Sequence, residues 1–271
     1  MIRRVGGYRE LAPPPGLEHV VDASWVYETP VATRQAPAIT HRILPELGIS
    51  LFFECWRDST GRVLFGDLAL QGPIRRVQLF APAGAQRIEA VRLKPEWCRN
   101  LFGADAGEHA NGIATYRAIG RARADRLYER LMRTRSTGDA LRELLREVRE
   151  CYELVSHSRA LRVANGAAEL IRASGRDVAL SGVARRVGVT ERHLRRVLRV
   201  ATGIGPKQFH RVHRLNHAVG AADRSARPAW AQIAADAGYF DQSHMIQEFR
   251  AITGRAPGEL HTERQAENPR E

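Results

Sequence analysis

The chain has few cysteines and nearly no lysine, and it lacks any long apolar run. Cys55, Cys98 and Cys151 are three isolated thiols in 271 residues, an odd number with no C-x-x-C pair. Spacing therefore implies neither a disulfide framework nor a zinc site, and buried reduced thiols are expected. No apolar run approaches the roughly 18 to 20 residues of a membrane span, and Met1 to Glu10 lacks the apolar core of a signal peptide. A cytoplasmic protein with no membrane partner is the expectation. Lys94 and Lys207 are the only lysines, so arginine carries the formal charge of +12. A GC-rich genome also enriches arginine, so the location of the charge matters more than its total. What is present, 44% hydrophobic and 7% aromatic residues over a length suited to roughly two domains, describes a soluble globular chain.

The charge is concentrated. Between Leu180 and Leu215 stand Arg185, Arg186, Arg192, Arg195, Arg196, Arg199, Lys207, Arg211 and Arg214, against the single acid Glu191. So dense a patch suits phosphate, where counterion release supplies sequence-independent affinity.

Pattern divides the chain as α+β, with a mostly-β N-terminal module and its following helices ahead of an all-α, two-lobed domain. Residues 1–157 form the first part, β-rich over 1–96 and helical over 97–157. In it the short apolar runs Trp25 to Tyr27, Ile49 to Phe53, Val63 to Phe65, Val77 to Phe80 and Ile88 to Leu93 read as strands. Turn signals at Asp58 to Gly61, Gly72 to Pro73 and Pro82 to Gly84 bound them. From Asp139 to Val155, Leu141, Leu144, Leu145, Val148, Tyr152 and Val155 recur at steps of three and four, one apolar helical stripe. It suits packing on the β module or on a preceding helix around Leu127 and Leu131; the sharper alternative is a dimer seam. Ser156 to Ala160 marks the boundary, 160–261 the second domain, and 262–271 a polar tail.

The second domain repeats itself. Val183, Ala184 and Gly188 recur 50 positions later as Ile233, Ala234 and Gly238. Leu194, Leu198, Arg199, Thr202, Gly203 and Pro206 recur 51 positions later as Met245, Phe249, Arg250, Thr253, Gly254 and Pro257, so the second turn holds one extra residue. Each unit has the layout of a helix-turn-helix: a short helix, a glycine turn, a capping residue (Thr190, Asp241) and a second helix. Arg192, Arg195, Arg196 and Arg199 share one broad outward face of the first such helix; Gln242, Ser243, His244 and Gln247 occupy that of the second, with Met245, Ile246 and Phe249 inward. Arginine matches the two acceptors of guanine and glutamine those of adenine, whereas serine is permissive. Arg192, Arg195 and Arg196 are the base-reading candidates and Arg199 a phosphate contact. Any of the arginines could instead pair with Glu191, and His244 could be an ordinary surface histidine. Pro206 to Ala222, with Phe209, Val212, Leu215 and Val219 at helical spacing, makes a rod of roughly 25 Å that sets the separation of the units.

These residues resemble the AraC/XylS family of bacterial transcription regulators. The motifs are A-R-R-V-G-V-T-E-R-H-L-R-R-V-L at Ala184 to Leu198 and I-A-A-D-A-G-Y-F-D-Q-S-H-M-I-Q-E-F-R at Ile233 to Arg250, closed by T-G-R-A-P at Thr253 to Pro257. The resemblance implies a two-lobed helical domain whose recognition helices enter two adjacent major grooves of double-stranded DNA, and it supports the same eight contact positions. Leu198, Met245 and Leu260 stand where the family often has aromatics, a matter of packing. In the first part, Y-R-E-L-A-P-P-P at Tyr8 to Pro15, H-R-I-L-P-E-L at His41 to Leu47 and A-V-R-L-K-P-E-W at Ala90 to Trp97 look like an uncharacterised effector-type domain found ahead of such DNA-binding domains. That implies a sensing or dimerisation role.

The expected partners are thus DNA, a small-molecule effector, RNA polymerase and a second copy of the chain, with no cofactor and no metal. Trp25, Trp56 and Trp97 are candidates to line an effector pocket, though tryptophans are more often core. A thiol-based sensor or repair enzyme fused to the DNA-binding module is the competing class. His41, Glu46, Cys55 and His109, the only residues of the first part that would tempt one, show no catalytic or metal spacing, and no enzyme is expected. A non-specific architectural role is disfavoured by the low charge of the second recognition face.

Overall fold

A computed structural model describes residues 3–5, 7–29, 40–81, 86–103, 106–116, 120–175 and 179–266. The N-terminal module is built on an antiparallel sheet. Its strands are β1 (Arg3–Val5), β2 (Tyr8–Leu11), β3 (Val21–Glu28), β5 (Ile49–Arg57), β6 (Val63–Gln71), β8 (Arg87–Leu93) and β9 (Ile113–Thr115), in the order β1-β2-β3-β8-β5-β6-β9. Between them, β4 (His41–Ile43) and β7 (Gln78–Phe80) pair as a separate ribbon. Every expected apolar run is found in or beside a strand; the turn expected at Pro82 to Gly84 lies outside the described residues. Asp58 holds the β5–β6 hairpin, its Oδ1 accepting from the backbone of Thr60 and Arg62 at 2.9 and 3.0 Å. β9 lies within the part expected to be helical and completes the edge of the sheet beside β6.

Side chains alternate across a strand, and here the two faces have different fates. Leu51, Phe53 and Cys55 of β5, with Leu68, Leu70, Val91 and Leu93, meet two helices, α2 (Arg121–Met132) and α3 (Thr137–Glu153). α3 starts on a reciprocal cap between Ser136 and Asp139 and spends its stripe on this core: Leu144 and Val148 are fully buried against the sheet, with Leu127 and Leu131 of α2. The packing reading holds for these residues, and Leu145, Tyr152 and Val155 are partly buried against the same core. The opposite face carries Trp25, Phe52, Ile88, Ala69 and Ala90. Beyond β8, a short 3-10 turn at Pro95–Trp97 runs into α1 (Cys98–Phe102).

The helical domain begins at α4 (Arg159–Arg172), capped by Ser158, within the expected boundary. The first lobe adds α5 (Leu180–Arg186) and α6 (Glu191–Thr202). After the long α7 (Pro206–Asp223), the second adds α8 (Trp230–Asp236), α9 (Gln242–Thr253) and α10 (Pro257–Ala266). α7 serves both lobes: Phe209 and Val212 enter the first core, and Leu215, Ala218, Val219 and Ala222 the second. The polar stretch expected as a tail is helical as far as Ala266. There Arg264 is buried against Asp223 at 2.7 Å, so residues 262–266 belong to the second lobe, and 267–271 lie outside the described residues.

Candidate nucleic-acid interface and cavity

The sequence repeat extends to individual hydrogen bonds. Val189 N–H donates to Ala184 O at 2.9 Å in the first lobe and Tyr239 N–H to Ala234 O at 2.8 Å in the second. The turn glycines Gly188 and Gly238 have φ of 70° and 78°, a conformation an L side chain resists. Thr190 Oγ1 then accepts from His193 N–H at 3.3 Å and Asp241 Oδ1 from His244 N–H at 2.7 Å. At the far end of the second helix, Thr202 donates to Leu198 O and Thr253 to Phe249 O, each at 2.8 Å, before Gly203 and Gly254, both at φ 73°. With Tyr239 matching Val189 and Asp241 matching Thr190, the extra residue of the second turn is Phe240, which is 68% exposed.

α6 buries Leu194, Val197 and Leu198 and exposes Arg192, Arg195, Arg196 and Arg199. Arg195 touches Glu191 at 3.3 Å, an ion pair open to water on both sides and therefore cheap to exchange for another partner. Arg196 meets His193 Nδ1 at 3.3 Å. α9 buries Met245 and Phe249, half-buries Ile246, and exposes Gln242, Ser243 and Gln247. His244 is half-buried, its ring edge-on to Tyr239, and its Nδ1 accepts from Phe240 N–H at 3.3 Å, which leaves Nε2 for any outside partner.

Two members of the basic patch are engaged elsewhere. Glu248, buried on α9, holds Arg214 at 2.8 Å and Arg211 at 3.1 Å, and the Arg214 guanidinium also lies 4.8 Å from the centre of the Tyr239 ring. They join α7 to α9. The remaining seven, Arg185, Arg186, Arg192, Arg195, Arg196, Arg199 and Lys207, are all exposed. Sequence reading had no signal for Glu248, because an acid within an amphipathic helix looks like solvated surface.

Of the enzyme candidates, Cys55 is separated by the sheet from His41 and Glu46. Cys55 lies on the helix-covered face of the sheet, where burial, then the Glu89 carboxylate, push its thiol up to about 12. Burial likewise pushes Cys151 to about 11, and Cys98 is buried as well. His41 and Glu46 fall on the other side, and no group of residues suited to a metal occurs among the described residues. No helix is long and apolar enough to cross a membrane.

That other side holds a cavity of about 270 Å³ between the sheet and the β4–β7 ribbon. Its aromatic wall comprises Tyr8, Trp25, Tyr27, Phe52 and Phe80. Of the three tryptophans only Trp25 lines it. Trp97 is core, packed edge-on against His19 and Tyr152, and Trp56 stacks on Phe65 further along the sheet. The helical domain reaches the same cavity through Asn216 of α7 and Arg264 of α10. A neighbouring, more polar crevice of about 290 Å³ shares Glu46, Gly48, Arg92 and Asn216 with it and is closed by α7.

The segment from His41 to Gly48 joins these spaces to both lobes. Ile43, Leu44 and Glu46 line the cavity. Leu44 also belongs to the core of the second lobe and Leu47 to that of the first, while Pro45 O accepts from Asn216 Nδ2 at 3.0 Å. Further contacts between the modules are the Glu96–Arg172 pair, with both oxygens at 2.7 Å, and Arg75 donating to Gly203 O at 2.6 Å.

Residues 183–263 match the family model described as a helix-turn-helix domain, and residues 9–114 the one described as a domain of unknown function (DUF6597). No curated protein matches the chain. Among solved structures, the chain is similar to the C-terminal domain of AraT, a response regulator from Geobacillus stearothermophilus, at 22% identity over 40% of this chain and 88% of that one, with a TM-score of 0.36. It is similar to ToxT from Vibrio cholerae O395 at 12% identity over 95% and 98%, TM-score 0.46. The unsaturated fatty acid bound ToxT of Vibrio cholerae strain SCE256 shares 11% identity over 89% and 95%, TM-score 0.47. With its duplicated lobes and these matches, the chain carries two helix-turn-helix units in the region that matches the helix-turn-helix model, behind a domain that matches the DUF6597 model.

Proposed function

We propose that this protein is a sequence-specific transcription regulator that reads two adjacent major grooves of DNA through α6 and α9. Residues 160–261 serve as the DNA-binding domain, and residues 1–157 are controlled by a small molecule. The observation that carries the first half is the duplicated lobe, each copy keeping an apolar core and exposing polar or basic groups on its second helix. Arg192, Arg195 and Arg196 are the base-reading groups of α6 and Arg199 a phosphate contact; Gln242, Ser243, Gln247 and the Nε2 of His244 are their counterparts on α9. α7, 18 residues long, spans about 27 Å at roughly 1.5 Å per residue. Adjacent groove faces are roughly 34 Å apart, so some bend in the DNA or tilt of the helices accompanies binding.

Effector control is supported by the His41 to Gly48 segment. A molecule entering the aromatic cavity touches the same backbone that places Leu44 and Leu47 in the two lobes, so a shift there would alter how the recognition helices are held. Differential contact of this kind is what lets a ligand bias one arrangement over another.

The test is to sequence the fragments that the purified full chain selects from random DNA. A defined site of two half-sites about one helical turn apart is expected. Arg195→Ala should then cost about 1 to 3 kcal/mol on that site and relax preference at one position. Selection of no sequence at all, or an Arg195→Ala variant with unchanged affinity and preference, would overturn the reading.

A further inference from the structure

The cations that line the aromatic cavity are already engaged. Arg42 is held by Glu263 at 2.9 Å and Arg264 by Asp223 at 2.7 Å. Arg92 is ringed by Glu10, by Asp22 at 2.9 Å and by Glu46 at 3.0 Å. The polar ends of the aromatic wall are also taken. Trp25 Nε1 donates to Ser50 at 3.1 Å, Tyr8 to Glu10 at 3.0 Å, and Tyr27 pairs with His41 Nε2 at 2.8 Å. The wall therefore offers ring faces rather than hydroxyls.

Glu54 differs from these neighbours. It projects from β5 on the cavity side, between Phe52 and Trp56 in the alternation, and has neither a hydrogen bond nor an ion pair among the described residues. Burial, then the Asp67 carboxylate opposite it on β6, push its carboxyl group up. Among the described residues the uncompensated charge of the cavity is thus negative, and it lies on the same strand face as the rings of Phe52 and Trp56, whose quadrupoles attract cations.

We infer that the effector cavity takes an organic cation, an amine or quaternary ammonium compound whose charged head lies against the aromatic wall and is neutralised by Glu54. The inference rests on the proposal that this cavity is the effector site and adds the charge of its ligand. A volume of about 270 Å³ suits a small molecule. A ligand anion would meet Glu54 with no free cation among the described lining residues, and a neutral one would leave the carboxylate desolvated without a partner.

The test compares three probes of one shape by titration calorimetry on the full chain. They are choline, its uncharged carbon isostere tert-butylethanol, and the tert-butylacetate anion. Choline should bind at least about tenfold more tightly than tert-butylethanol, with tert-butylacetate weakest. Trp25→Ala should weaken choline binding, and Glu54→Gln, checked for retained cooperative thermal unfolding, should cut choline's preference over its isostere to the roughly two- to fivefold that ring faces alone supply. The proposal is overturned if the isostere or the anion binds as well as choline, or if Glu54→Gln keeps the preference. In those cases heat that Trp25→Ala abolishes would still mark the cavity as an effector site. If no probe gives heat sensitive to Trp25→Ala, the proposal falls together with the placement of the effector in this cavity.

Discussion

Removing the Glu248 carboxylate would take an ion-pair partner from both Arg211 and Arg214, and the Arg214 guanidinium is buried over the Tyr239 ring. Breaking a buried pair from one side costs far more than the pair contributes, so Glu248→Ala should destabilise by about 3–5 kcal/mol in chemical denaturation. A loss under about 1 kcal/mol would show the cluster to be open to water. His213, nearby on α7, takes up its proton well below the range of a surface histidine. Burial, then Arg172 and His217, push it down to about 4, and Arg172 O holds its Nε2 at 3.1 Å. An unfolded histidine takes up its proton near 6.5, so below that value the unfolded state binds more protons than the folded one. Stability present above 6.5 is therefore lost as the pH falls toward 4, by at most about 3 kcal/mol. Urea unfolding near neutrality and near about pH 5 should show this loss, and His213→Gln should reduce it. Neither residue was legible in the sequence, because partners 34 and 41 positions away along the chain leave no local pattern.

At the level of elements the sequence was far more readable, since caps, turn glycines and apolar stripes are local. Thr190, Asp241, Gly188 and Gly238 do what their residue types suggest, and Phe209, Val212, Leu215 and Val219 are the buried side of α7. The strand runs were equally plain, yet which face of the sheet would be left for a cavity was not, because both faces of β5 carry large apolar residues. The exposed faces of α6 and α9 differ chemically, and that gives a prediction at this scale. Arg199→Ala on α6 removes a cation assigned to phosphate, so the slope of log affinity against log salt should become shallower by about one. Gln247→Ala on α9 removes no charge and should leave the slope unchanged while weakening binding to the selected site. Filter-binding titrations at several salt concentrations measure both. Equal slopes in both variants and the parent would remove Arg199 from the phosphate contacts.

The joining of the two modules belongs to the whole molecule, and the internal repeat supplies its own control. Gly203 and Gly254 close equivalent helices at the same φ of 73°, so a methyl group strains each backbone equally, by about 1–2 kcal/mol. Their surroundings differ. A Cβ on Gly254 would meet nothing within 4 Å, whereas one on Gly203 would stand 2.8 Å from the Gly107 backbone and 2.5 Å from the Arg75 guanidinium, both in the N-terminal module. Sequence reading matched these glycines to each other and could not separate them, because the contact joins residues 128 positions apart. Gly254→Ala should therefore lose only the conformational term, while Gly203→Ala loses more and loosens the module from the first lobe. Hydrogen exchange locates the difference. The amides of Arg75 and Asn111, which bond to Asn111 Oδ1 and Pro73 O at 2.8 Å each, should exchange faster in Gly203→Ala and at the parent rate in Gly254→Ala. Equal losses of stability with unchanged exchange at both amides would mean that the first lobe does not carry the module at this point. The coupling between the modules would then rest on the His41 to Gly48 segment and the Glu96–Arg172 pair instead.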